Sequence, residues 1–94
     1  MSRTDPAVAL NGVRTGHLCD SCARRIDHGD KVGTYVTWYE RGGWTPRRTF
    51  CQSCCPEKIE PGTEGADEAI LFGVFFSHRL VGLQVRDRSR PEVA

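Results

Sequence analysis

No uninterrupted apolar run in this 94-residue chain approaches the roughly 20 residues needed to span a bilayer. A membrane partner is therefore not expected. The first residues, MSRTDPAVALNGVRTG, lack a compact apolar core behind a basic start, which argues against a secretion signal. A cytoplasmic location is the simplest expectation, and there thiols stay reduced and available to a metal. A dominant charge is missing too. The chain has 13 Lys and Arg against 12 Asp and Glu, a net +1, so bulk charge alone selects no partner. Internal repeats and low-complexity segments are absent. Size is also limited, because a chain this short buries only roughly 60–65% of its unfolded surface. Domains of this kind gain stability from disulfides, a structural metal or self-association.

What is present is patterned. Residues 14–58 hold eight Lys or Arg against five Asp or Glu, and residues 79–90 hold four Arg against one Asp. Residues 59–78 between them carry four acids and no Lys or Arg. This alternation can build a basic face, although a solvated, salt-bridged surface has the same signature.

Residues 1–15 show no sustained period and are expected as a flexible N-terminal arm, with a single domain over 16–90. In KVGTYVTWYE, Val32, Thr34, Val36 and Trp38 alternate with Gly33, Tyr35, Thr37 and Tyr39, and β-branched and aromatic types predict a strand. Arg41-Gly42-Gly43 supplies a turn, and WTPRRTF returns as the second strand, with Pro46 confined to an edge or a bulge. PEKIE, residues 56–60, predicts about one helical turn before Pro61-Gly62 ends it. ILFGVFFSHRLVGLQVRDR then predicts a second hairpin over 69–88. A helix over 66–76 is the competing assignment. The expected fold is a small β-rich domain with a central hairpin, one short helix and a C-terminal apolar hairpin.

Five cysteines interrupt this pattern as C-x2-C at Cys19 and Cys22, then C-x2-C at Cys51 and Cys54, with Cys55 following directly. The separation between pairs is 28 residues, which the hairpin over 31–50 accounts for. Tetrahedral Zn2+ takes four soft ligands, and each C-x2-C turn aims two sulfurs at one point. Spacing therefore points to a closed structural zinc site. Cys51 with Cys54 and Cys51 with Cys55 both share a face if the segment is helical. Pro56 disfavours an α conformation at Cys55, so Cys54 is the preferred fourth ligand and Cys55 the spare thiol. A thioredoxin-like reading of C-x-x-C needs a βαβ setting that is absent. His17, His28 and His78 could each replace a cysteine, but four thiolates already close the shell. No H-x-E element accompanies a P-C-x-x-C element, as a zinc deaminase would require. Neither an enzyme nor a small-molecule substrate is expected.

The stretch CDSCARRIDHGDKVGTYVTWY…RTFCQSC resembles a treble-clef or zinc-ribbon zinc finger over residues 17–60. It is similar to small C-x2-C…C-x2-C proteins of haloarchaea, without their usual acidity. The resemblance places Cys19, Cys22, Cys51 and Cys54 at the zinc-ligand positions of a zinc half spanning 16–60. It implies a binding or regulatory role toward nucleic acid or protein. For DNA or RNA, the candidate contacts are Arg24, Arg25, Arg41, Arg47 and Arg48 on phosphates. Trp38 and Trp44, with Tyr35 and Tyr39, are the candidate stacking surfaces. The competing reading is a protein partner or self-association through the apolar C-terminal strands.

Overall fold

The computed structural model describes residues 4–59 and 65–89. A short helix, α1 (Pro6–Leu10), precedes four strands: β1 (Lys31–Tyr39), β2 (Gly43–Cys51), β3 (Glu68–Phe76) and β4 (Arg79–Arg88). They form one antiparallel sheet in the order β2-β1-β3-β4. The segment 66–76 is thus strand from Glu68 on, as its β-branched and aromatic content favours over helix. The two hairpins do not stand apart, because β3 pairs along β1.

Register places Pro46 at a bulge on an edge strand. Tyr35 pairs Arg48 and Val36 pairs Pro46, which leaves Arg47 as the extra residue of β2. A second irregularity lies in the C-terminal hairpin, where Phe72 pairs Gln84 but Val74 pairs Val81. At Gly73 a Cβ would come within 2.6 Å of Val81 O, so only glycine lets β4 approach so closely. That close approach explains a glycine inside an otherwise apolar run.

Alternation along β1 puts Val32, Thr34 and Val36 on one face and Gly33, Tyr35 and Thr37 on the other. Val32, Val36, Leu71, Ala69 and Leu80 are fully buried at the centre of the core. Of the segment expected as an N-terminal arm, residues 4–15 close over this core instead. Asp5 caps α1 by accepting from Ala7 N–H at 2.8 Å, and Pro6 occupies the first helical position. Five residues are too few to hold a helix alone, so packing of Pro6 and Leu10 stabilises it. Gly12 N–H donates to Leu80 O, Leu80 N–H donates to Val13 O, and Gly82 N–H donates to the Asn11 side chain. Those bonds cover the first half of the β4 edge, which would otherwise invite pairing with another chain.

The expected helical turn over 56–60 is not formed among the described residues. Residues 57 and 58 are bends, and residue 60 lies outside the described set. The one described helix is α1, at the other end of the chain. After Cys55 the chain crosses the second face of the sheet, where Ile59 N–H donates to Asp87 Oδ2 at 2.8 Å. That anchor draws the segment along the sheet, and a tertiary bond replaces the helix that local propensity favoured. Near the base of β3, Arg88 and Asp67 form a partly buried ion pair at 3.1 Å. Among the described residues, no helix is long and apolar enough to cross a membrane.

Candidate metal centre

The first cysteine pair sits on a loop that folds back on itself. Cys19 N–H donates to Arg24 O, Ala23 N–H donates to Cys19 O, and Ile26 N–H donates to His17 O. Ala23 takes φ 61 to close the turn, a conformation that is costly for a residue bearing a Cβ. Asp20 fastens this knuckle to the open edge of β2. Its N–H donates to Thr49 O at 2.8 Å, and its Oδ2 accepts from Thr49 N–H at 2.7 Å. The second pair lies where β2 ends. Cys54 and Cys55 N–H both donate to Cys51 O, winding the chain so that Cys54 turns back beside Cys51.

These two turns bring four sulfurs together. The Sγ atoms of Cys19, Cys22, Cys51 and Cys54 all lie within 4.8 Å of one another. Cys22 Sγ and Cys51 Sγ are 3.8 Å apart. A tetrahedron with ~2.3 Å metal–sulfur arms has edges of about 3.8 Å, so the spacing suits one ion at the centre. It is far too long for a disulfide bond, and all five thiols are free.

Crowding splits the behaviour of the thiols. Burial pushes Cys19 up, but backbone N–H groups of Cys51, Cys22 and Ser21 outweigh it and hold this thiol down at about 6. Cys54 is pushed up to about 12, chiefly by hydrogen bonding with Cys51 and Cys22. One sulfur of the cluster thus ionises readily, and another, hydrogen-bonded to its neighbours as a thiol, resists. A metal cation held there would supply the missing positive charge, and coordination deprotonates a thiol outright.

Cys55 points elsewhere. Its side chain lies against Gly33 on the second sheet face, where a Cβ on Gly33 would overlap Cys55 Sγ and come within 2.8 Å of its Cβ. Burial pushes this thiol up, and the Arg86 guanidinium partly offsets that. Arg86 itself lies over the Phe72 ring at 4.1 Å. Cys55 is therefore a packing residue, and β1 lacks a side chain at position 33 to admit it.

The residues proposed for nucleic acid are dispersed. Trp44 is only 6% exposed. Its Nε1–H donates to Thr4 O at 2.6 Å, Arg88 lies over its ring at 5.1 Å, and Trp38 meets it edge-on at 5.6 Å. Trp44 is thus a core residue and not a stacking platform, and half-buried Trp38 is its cross-strand partner. Tyr39 is 43% exposed, with its hydroxyl accepting from Arg47 Nη1–H at 2.9 Å. Arg47 and Arg48 are exposed at the β2 bulge, Arg41 at the β1–β2 turn, and Arg24 and Arg25 on the knuckle. Arg24, Arg25 and Lys31 line a cleft of about 110 Å3 that reaches Cys51, where Arg24 and Lys31 can balance the charge of a thiolate cluster.

Among the described residues, no histidine joins the four-sulfur group. His17, His28 and His78 lie far apart in the sequence, yet they line one hollow. Nothing in their spacing signals this, since a strand turn, a loop and a knuckle lead-in supply one each. The clasp by Asp20 was equally invisible, because its partner lies on β2.

Residues 5–75 match a family model described as Domain of unknown function (DUF8112), and the chain belongs to that family. Comparison with curated proteins and with solved structures finds no match.

Proposed function

We propose that this DUF8112 member is a non-catalytic module built around one structural Zn2+, with nucleic acid as its partner. The observation that supports the metal is the grouping of four thiol sulfurs within 4.8 Å of one another. Soft thiolates in a tetrahedral set favour zinc over hard cations, which take oxygen ligands. When bound, the ion clamps the knuckle at Cys19 and Cys22 onto the end of β2 at Cys51 and Cys54. Four protein ligands close the coordination shell and leave no position for a substrate or an activated water. That closure is the reason to read the centre as structural and the protein as a binder.

Four thiolates around Zn2+ carry a formal charge of minus two, which Arg24 and Lys31 beside Cys51 offset. Cations remain elsewhere on the surface for phosphates. The C-terminal strands offer less to a protein partner than their composition suggests. Ala69, Ile70 and Leu71 are fully buried, leaving Phe76 (51% exposed) and Val85 (38%) as the exposed large apolar side chains of that hairpin. Nucleic acid is therefore preferred to self-association, and a reducing, cytoplasmic setting suits the free thiols.

Metal analysis of the purified protein tests the first half of this reading. One zinc per chain is expected, lost in Cys51→Ser. Folded protein without metal would overturn it. For the second half, binding to DNA and RNA fragments should weaken steeply with salt. Undetectable binding at low salt would end it.

A further inference from the structure

The end of the sheet that carries the β3–β4 turn holds a basic track. An open depression of about 410 Å3 is lined by Arg14, Thr15, Gly16 and His78. His78 also lines a neighbouring cavity of about 390 Å3, which extends past His17 and His28 to Arg25. Arg25 in turn lines the small cleft that leads to Arg24 and Lys31. Each hollow thus shares a basic side chain with the next, and together they gather every histidine of the chain. Arg14, Arg24, Arg25 and Lys31 outnumber the acids along the track, Asp27 and Asp30. Asp27 pairs with Arg25 at 3.0 Å, and Asp30 accepts from Asp27 N–H at 2.9 Å.

The turn that presents His78 is costly. Ser77 and His78 both take positive φ, 50 and 62, where a two-residue hairpin turn of this hand ordinarily uses Asn-Gly. The chain keeps an imidazole where glycine would relax the backbone. Thr15 N–H donates to His78 O at 2.8 Å and ties the turn to the floor of the track. The His78 ring meets His17 and Phe75 edge-on, each at 5.7 Å, so rings from the lead-in to the knuckle and from the β3–β4 hairpin converge there.

We propose that this track is the binding surface for single-stranded nucleic acid, with Arg14 and Arg25 on phosphates and the imidazoles of His17 and His78 against bases. The inference rests on the nucleic-acid reading above and locates its surface away from Arg41, Arg47, Arg48 and the tryptophans. Non-specific single-strand binders combine a cationic groove with ring side chains on which bases stack, and both are present here. The two larger hollows are open to solvent, and each spans about the size of one nucleotide. A rigid duplex does not splay its bases into such hollows, so a single strand is the form that fits.

The test is fluorescence anisotropy of the zinc-loaded full chain with labelled oligouridylate, oligothymidylate and a duplex. Arg14→Ala with Arg25→Ala should weaken single-strand binding about tenfold or more and reduce the salt slope by about 1.4, for two phosphates released. His78→Gly should also weaken it while the thermal midpoint holds or rises, because glycine suits the turn. Arg47→Ala with Arg48→Ala should leave affinity unchanged. Equal affinity for RNA and DNA strands supports stacking without 2′-hydroxyl readout, and preference for one strand type supports the track with that strand as its ligand. Wild-type affinity in both track variants, or tighter binding of the duplex, overturns the track and leaves the nucleic-acid reading standing. No binding by the wild-type protein overturns both.

Discussion

Gly33→Ala is the substitution that most directly joins the sheet to the metal centre. The added methyl would overlap Cys55 Sγ and lie 2.8 Å from Cys55 Cβ, with Leu71 O at 3.4 Å on another side. A rotamer change at Cys55 cannot relieve the contact with its own Cβ, so backbone must move. Overpacking of this kind costs about 1–3 kcal/mol. For a domain of this size that is a fall in Tm of about 4–24 °C, at 4–8 °C per kcal/mol. The displaced backbone is continuous with Cys54 and shares the Cys51 carbonyl with it as a turn acceptor. Zinc affinity should therefore fall as well, by about tenfold, the lower range for losing an outer support of a metal ligand. Urea denaturation and competition with a chromophoric chelator measure the two effects. Cys55→Ala removes the sulfur but not the Cβ, so Gly33→Ala should cost less in that background, with a coupling of about 1 kcal/mol. Equal costs in the two backgrounds, or a Gly33→Ala protein of unchanged midpoint and zinc affinity, would refute the argument.

Cys54→Ser should abolish stoichiometric zinc binding and Cys55→Ala should retain it, as metal analysis after dialysis will show. The reverse pattern would exchange their roles. Chelation should remove the cooperative thermal transition, because structural zinc contributes about 10 kcal/mol or more to such folds and small domains have only about 5–15 in total. An unchanged melting curve in excess chelator would count against a structural metal. Tyr35 is pushed up to about 12 from the usual 10, first by burial and then by Glu68. Its phenol keeps a proton in the folded chain that the unfolded chain releases, so its contribution is complete below pH 10 and lost as pH rises toward 12. Tyr35→Phe should flatten the alkaline fall in urea midpoint over that window. An identical slope in both proteins would dissociate Tyr35 from it.

Much of this molecule was legible in one dimension. Period-2 alternation of β-branched and aromatic residues over 31–39, and the apolar runs around Ser77-His78, mark strands because pairing and packing act on neighbours along the chain. The restriction that Pro46 places on a ladder was readable as an edge or a bulge, and β2 supplies both. Two C-x2-C steps separated by a hairpin likewise imply that four sulfurs meet, since each turn is local and the hairpin returns the chain.

Other features depended on residues far apart. The short helix stands at Pro6–Leu10 because Leu10 and Pro6 find a sheet face to cover, and none of that face lies nearby in sequence. The turn expected after Pro56 yields to a bond from Ile59 to Asp87. Trp44 looked available for stacking until Thr4, Trp38 and Arg88 were seen to enclose it. By itself the sequence determined the strands, the hairpins and the convergence of two cysteine pairs, all products of short-range geometry. Only the tertiary structure decided that Cys55 turns away from the sulfur cluster onto Gly33, that the N-terminal segment completes the core, and that three scattered histidines share one cavity. Burial and side-chain contact are set by the sheet as a whole.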